Sequence, residues 1–319
     1  MSRPRCWVIY DKGKVGTGNQ CIGLAQSLGL DYVVYEIQAK FPWKYIPSSC
    51  WIHPLSCVTC SDEAFLKLPW PDVVIGAGRA SAAPVAAMGQ LSAGKTKTIQ
   101  ILNPRLPCHL YDAVIAPEHD QYTGPNVFQT KGALHRLNHQ LLAEESEKFK
   151  DHVASVSKPF IVVLMGGGGR RFRLDPDVIY DLRDKLKDLM DKSGGHIAIV
   201  PSRRTGEKNK IALNEAFKGM DVEIWDGSHA NPYLGYLGLA DYIVVTSDSV
   251  SMVSEACYTG KPVYIYHLPG GSSLFDRFHN LMEKEGYTRR LSHDLQVYNY
   301  PALDEMSRVT EWIQIKMVI

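Results

Sequence analysis

Long apolar runs are missing from this sequence. None reaches the roughly 20 residues a membrane-crossing helix needs, so no span of that kind is expected. The opening MSRPRCWVIY has two arginines but only a short apolar stretch after them, and no small-residue cleavage pattern, which argues against a secretory signal. A cytoplasmic protein is expected, with peripheral attachment to a membrane left open. A basic excess is missing too: 35 Lys and Arg stand against 34 Asp and Glu, so no nucleic-acid partner is expected. Seven cysteines in 319 residues are too few for a disulfide scaffold. Cys50, His53, Cys57 and Cys60 are zinc-ligand types in a C-x2-H-x3-C-x2-C run. The middle gap is short for a knuckle, so four free or half-buried side chains are the plainer reading, and no metal or cofactor is expected. Low-complexity tracts and short repeats are also absent.

What the sequence does have is alternation. Apolar strand-like runs at 6–10, 32–37, 72–78, 98–102, 112–116 and 126–130 are separated by loops and helix-like segments. The pattern restarts at 159–169 and continues at 196–202, 222–226, 241–247 and 262–266. Val/Ile-rich strands without polar alternation are buried on both faces, and alternation with helices implies parallel sheets. The expected fold is α/β, with two facing Rossmann-like domains at 1–150 and 151–319. A charged stretch with a helical middle, 131–159, reads as a linker or a bridging helix. A last helix, 303–317, is placed to pack back across it. Ligands of such sheets bind outside the carboxyl ends of the strands.

Those ends are unusual. The first, 11-DKGKVGTGNQ-20, reads as a glycine loop before a helix, with Gly16, Gly18 and Asn19 as anion-site candidates. A plain βα turn fits it equally well. Arg79 and Arg105 each follow an apolar strand and suit a phosphate or carboxylate in one crevice. In 117-PEHDQ-121, His119 and Asp120 are the candidate general base, although a polar turn would look the same. The second half opens with Gly166, Gly167, Gly168 and Gly169, then Arg170 and Arg171. Four glycines cost conformational entropy that close approach to a bulky ligand would explain. Ser202, Arg203, Arg204 and Thr205 follow the next strand, and four arginines on two loops suggest a multiply charged ligand such as a diphosphate. Then come Thr246, Ser247, Asp248, Ser249, Ser251 and Met252, with Glu255 inside the next helix. A helix cap needs one hydroxyl, so the surplus suits phosphate oxygens, and Glu255 suits a ribose. Its alternative role is partner to the helix's own N-terminus.

The run VVTSDSVSMVSEACYTGKPVYIY, with SRRTG, NPYL, GR, NPR, PEHD and GALHR, resembles the "elongated mitochondria" (mitochondrial fission) protein family. The likeness covers nearly the whole chain, apart from 38–71. That family was named for a plant protein of the mitochondrial outer surface that helps recruit a dynamin-related protein. Many members are bacterial, and this chain is read as one of them. A wider resemblance is to glycosyltransferases of the GT-B fold. It implies a nucleotide-diphosphate sugar in the cleft between the domains, with the glycines and Arg203/Arg204 near the diphosphate and Glu255 on the ribose. NAD-dependent epimerisation is not expected. The only Tyr-x-x-x-Lys pair, Tyr10 and Lys14, runs from a strand into a glycine loop. The resemblance implies a metal-independent glycosyltransferase acting on an envelope glycan or lipid. Its alternative is a non-catalytic adaptor that brings a dynamin-like or other protein partner to a membrane, with the aromatic stretch 41-FPWKYIPSSCWIHP-54 as the candidate contact or, equally, a core-covering loop.

Overall fold

The computed structural model describes residues 5–62, 65, 66, 68–169 and 171–317. The chain packs into two compact units. Unit 1 holds the residues up to Arg136 together with those from Asp304, and unit 2 is Leu137–Leu303.

Unit 1 runs β1 (Arg5–Asp11), α1 (Val15–Ser27), β2 (Asp31–Ala39), β3 (Val58–Cys60), β4 (Val73–Ala77), α2 (Arg79–Leu91), β5 (Lys97–Ile101), β6 (Ala113–Pro117) and β7 (Val127–Thr130). The sheet order is β3-β2-β1-β4-β5-β6-β7, parallel except for β3 against β2. Every residue of β4 and β6 is buried, as strands covered on both faces must be.

Unit 2 begins with α3 (His139–Glu147) and α4 (Lys150–Ser155), then β8 (Phe160–Met165), α5 (Pro176–Ser193), β9 (His196–Pro201) and α6 (Gly206–Ala216). It continues with β10 (Val222–Ile224), α7 (Tyr233–Leu239), β11 (Tyr242–Thr246), α8 (Val250–Tyr258), β12 (Val263–Tyr266), α9 (Ser273–Lys284) and β13 (Thr288–Arg290). Its sheet is wholly parallel, in the order β10-β9-β8-β11-β12-β13. The last helix, α10 (Glu305–Met317), belongs to unit 1.

The boundary lies at Arg136/Leu137, not at 150, because the charged stretch after it is not a free linker. Asn138 caps α3 by accepting from the Leu141 N–H at 2.8 Å. Leu142 and Val153 enter the unit 2 core. Gly235 and Gly238 of α7 leave room for Phe149 and the Ser146 hydroxyl, so α3 and α7 pack closely. At the other end, Glu305 is buried, accepts from the Lys131 N–H at 2.9 Å and pairs with Arg308 at 2.7 Å. Val309 and Ile313 fill the unit 1 core, and Thr310 meets Ser27 of α1 at 2.7 Å.

Three elements go beyond the sequence reading: β3, β13 and α7. The two strands are three residues long, and β13 is Thr-Arg-Arg with no apolar side chain to mark it. β3 falls in the cysteine run. There Cys57 is buried and donates to the His53 carbonyl at 3.3 Å, while Cys50 is exposed.

Candidate functional site

In unit 2 the chain leaves β8 toward β9 and β10, and later returns beside β8 to lay β11, β12 and β13 on the other side. The strand order therefore reverses between β8 and β11. At such a reversal the loops diverge and open a crevice at the carboxyl ends. The loops after β8, β9 and β11 are the ones singled out from sequence.

Asp248 ties these loops together. It is 4 % exposed, accepts from the Gly167 N–H at 3.0 Å and the Thr246 hydroxyl at 2.7 Å, and lies 3.2 Å from the Arg204 guanidinium. Thr246 also accepts from the Gly166 N–H at 2.8 Å. Thr205 is buried and donates to the Gly166 carbonyl at 2.5 Å, and the Ser202 N–H reaches the Met165 carbonyl at 2.8 Å. Ser202 itself accepts from the Arg204 N–H at 3.2 Å. Buried polar groups need partners, and here the chain supplies them.

This changes the reading of the hydroxyl cluster. Ser247 accepts from the Leu268 N–H at 3.0 Å, and its carbonyl meets the His279 ring at 2.7 Å. Ser249 is the α8 cap, accepting from the Met252 N–H, and Met252 is in the core. Thr246, Ser247, Asp248 and Ser249 are therefore spent on the fold. Only Ser251 of those hydroxyl residues is partly exposed, and among the described residues it has no side-chain hydrogen bond.

The glycines change in the same way. A Cβ on Gly166 would overlap the Asp248 carboxylate, and one on Gly167 would overlap the Arg204 carbonyl. One on Gly168 would press on the Leu174 N–H at 3.0 Å, and one on Gly169 would meet nothing within 4 Å. Close approach of the chain to itself explains three of the four. Arg170 lies outside the described residues. Arg171 is exposed and lines a cavity of about 460 Å³ with Gly169, Phe172, Arg173, Pro269 and Gly270.

Glu255 does not serve the N-terminus of its own helix. Its carboxylate accepts from the Tyr233 hydroxyl at the start of α7. Burial pushes the Glu255 carboxyl up to about 7, against the lowering pull of that hydrogen bond. Burial, then the Glu255 charge, pushes the Tyr233 phenol well up. Both residues keep some exposed surface, so the pair is desolvated at its polar atoms but not sealed off. Sequence reasoning missed Tyr233. Its only signal was the NPYL turn, whose partner is 22 positions away. Arg203 is exposed and, among the described residues, forms no ion pair.

Unit 1 has the same reversal, between β1 and β4. A cavity of about 290 Å³ opens there. It is lined by Asp11, Lys12, Lys14, Lys44, Trp51 and Arg79, among others. Asp11 accepts from the Ala80 N–H at 2.9 Å. Burial raises its carboxyl above the ordinary range, opposed by that N–H and by the charges of Lys14 and Arg79.

Other unit 1 expectations fare differently. α1 starts at Val15, so Gly16, Gly18 and Asn19 lie in the helix, not in a loop. Gly18 is buried because the Tyr10 ring occupies the space of a Cβ. Arg79 opens α2 and donates to the Ile46 carbonyl at 2.7 Å. Arg105 sits on an exposed left-handed turn, φ 55°, and does not line the cavity with Arg79. His119 is buried in a short helical turn after β6, two strands from β4, with Asp120 beside it. Neither residue lines the cavity. Among the described residues, no three His, Cys, Asp or Glu side chains come together in a way that could hold a metal ion. No described helix is long and apolar enough to cross a membrane.

The family model described as Mitochondrial fission ELM1 matches residues 15–317. The chain belongs to that family. It is 28 % identical over 271 residues to the Mitochondrial fission protein ELM1 of Arabidopsis thaliana, covering 76 % of this chain. It spans only 63 % of the length of that plant relative. An uncharacterised protein of Rickettsia prowazekii is also 28 % identical, across 98 % of both chains. Among solved structures, the UDP-GlcNAc 2-epimerase of Methanocaldococcus jannaschii, crystallised with UDP-GlcNAc and UDP, matches with a TM-score of 0.52. That match covers 98 % of this chain and 92 % of the epimerase at 11 % identity. The ELM1-family chain thus has the GT-B type of architecture, two Rossmann-like α/β units with mostly parallel sheets.

Proposed function

We propose that the protein binds a nucleotide-diphosphate sugar at the β8/β11 end of unit 2 and transfers the sugar to an envelope glycan or lipid. The carrying observation is the Tyr233–Glu255 pair: a desolvated carboxylate, held by a phenol, one helix turn beyond the partly exposed Ser251. A carboxylate so held can accept from both hydroxyls of a ribose. Ser251, the first backbone N–H groups of α8 and the exposed Arg203 are then available to the diphosphate. Their role in transfer is to stabilise the charge that gathers on the departing diphosphate. A GT-B neighbour crystallised with UDP-GlcNAc and UDP supports the ligand class.

The test is calorimetric titration with nucleoside diphosphates and their sugars, on the wild type and on Glu255→Ala and Arg203→Ala. One nucleotide should bind, and each substitution should weaken it about 10- to 100-fold, the loss of a charge-assisted hydrogen bond at about 1.5–3 kcal/mol. Absence of binding by every nucleotide, or binding indifferent to both substitutions, refutes the reading.

The adaptor reading draws on the name of the plant relative and on the exposed side chains of Phe41, Tyr45 and Ile52. It predicts that a dynamin-like partner is captured equally well by the wild type and by Glu255→Ala/Arg203→Ala.

A further inference from the structure

The unit 1 cavity concentrates positive charge that the overall composition does not show. The whole sequence carries a net charge of +1. Yet Lys12, Lys14, Lys44 and Arg79 line one cavity of about 290 Å³ against a single carboxylate, Asp11. Among the described residues none of these four cations forms an ion pair. Lys44 rests over the Tyr45 ring at 4.8 Å, and Arg79 is steered by the Ile46 carbonyl. Four like charges brought together repel one another, and a polyanion would relieve that repulsion. The size fits a head group, since it falls at the lower edge of the roughly 300–1,000 Å³ usual for ligand pockets. Trp51 gives the cavity a rigid wall: it is buried and its indole donates to Ile46, the same carbonyl that orients Arg79.

The segment that supplies Lys44 and Trp51 also carries an apolar surface. Phe41, Tyr45 and Ile52 are 79 %, 71 % and 79 % exposed. Phe41 and Tyr45 meet edge to face at 6.4 Å. Aromatic and aliphatic side chains interleaved with lysines are what an anionic membrane surface attracts.

We propose that this cavity binds a phosphate monoester borne by a membrane lipid, with the four cations on the phosphate and Phe41, Tyr45 and Ile52 entering the lipid surface. This deepens the transferase reading by naming the acceptor class. It fails separately from that reading, because nucleotide binding is measured at unit 2 and lipid binding at unit 1.

The test is co-sedimentation of the full chain with phosphatidylcholine vesicles that are plain, or contain phosphatidic acid, or contain phosphatidylserine, alongside titration with glycerol 3-phosphate. Capture should require phosphatidic acid. Lys14→Ala/Arg79→Ala should lose at least tenfold for both vesicles and glycerol 3-phosphate. Phe41→Ser/Ile52→Ser should lose vesicles but keep glycerol 3-phosphate. All these positions are exposed, and unchanged melting of each variant confirms folding. Equal capture by phosphatidylserine vesicles overturns phosphate recognition. Binding of glycerol 3-phosphate without capture of vesicles overturns the lipid source. Unchanged binding by Lys14→Ala/Arg79→Ala, or no binding of any probe, overturns the site.

Discussion

Replacing Glu255 by glutamine should change how stability depends on pH, and the sign follows from its burial. The free carboxyl titrates at 4.5, and burial in unit 2 raises it to about 7. Between those values the folded state holds a proton that the unfolded state has released. Stability is therefore fully present below pH 4.5 and falls as pH rises toward 7. At about 1.4 kcal/mol per pH unit, the loss from this one group is about 3 kcal/mol. Glutamine cannot ionise, is nearly the same size, and can still accept from Tyr233 through its carbonyl. The wild type and Glu255→Gln should thus have similar urea midpoints at pH 4.5–5. The variant should become the more stable by about 3 kcal/mol at pH 8, read as the difference between two unfolding curves at each pH. Taking the difference cancels every other titrating group. Parallel curves across that range would refute the burial argument and leave Glu255 an ordinary half-exposed carboxylate. The proposed ribose contact adds a linked effect. A ribose that donates to Glu255 favours its ionised form, so nucleotide affinity should rise between pH 6 and 8 in the wild type and stay flat in the variant.

Two further predictions need less. Gly167→Ala should destabilise unit 2 by about 1–3 kcal/mol, because its methyl overlaps the Arg204 backbone, whereas Gly169→Ala should move the melting point by less than about 2 °C. Equal effects of the two would mean that the Gly167 loop yields. Burial pushes His135 down from 6.5 to about 4 in unit 1, so there the folded state binds fewer protons, and stability present above pH 6.5 is lost as pH falls toward 4. Five of the six tryptophans lie in unit 1, so acid unfolding followed by tryptophan emission should begin at higher pH in the wild type than in His135→Gln.

Much of the fold was legible because it rests on local pattern. The runs at β8 and β11 are apolar without alternation, and strands buried on both faces read that way at any distance from their partners. The candidate loops were legible for a related reason, since a strand's carboxyl end is marked by where its apolar run stops. What side chains do at those ends was not legible. A serine that accepts from Leu268 and a serine that awaits a phosphate have the same neighbours in sequence. So do a glycine pressed against Asp248, 82 positions away, and a glycine open to solvent. The pairing of Tyr233 with Glu255 needs α7 and α8 brought together on one face of the sheet, although β11 separates them in the chain. Neither helix announces it. α1 starts earlier than the sequence suggests because Gly13, Gly16 and Gly18 together look like a loop, whereas only Gly13 precedes the helix. Gly18 is there to admit the Tyr10 ring, a contact between a helix and the strand before it.

The two strand-order reversals share a topology but are finished differently, and the difference bears on what each can hold. At β8/β11 a carboxylate, Asp248, occupies the middle of the loops and draws three of them together. It contributes rigidity, because each removed partner would leave a buried polar group exposed to a penalty of about 1–3 kcal/mol. It also places a negative charge where an anion would approach. Arg204 covers that charge while remaining half exposed, so it brings little net attraction of its own. On the proposed reading the cation left to attract a diphosphate is Arg203, which is exposed and forms no ion pair among the described residues, while Arg204 is held on Asp248. At β1/β4 the arrangement is reversed. Asp11 accepts from the Ala80 N–H at the rim of α2, and among the described residues the four cations lining the cavity form no ion pair. A site that sets four cations against one carboxylate suits a ligand that brings the compensating charge. A site whose loops are locked by an internal carboxylate is built for a ligand recognised by shape and by a few directed hydrogen bonds. A phosphate head group meets the first description, and a nucleoside held through its ribose meets the second.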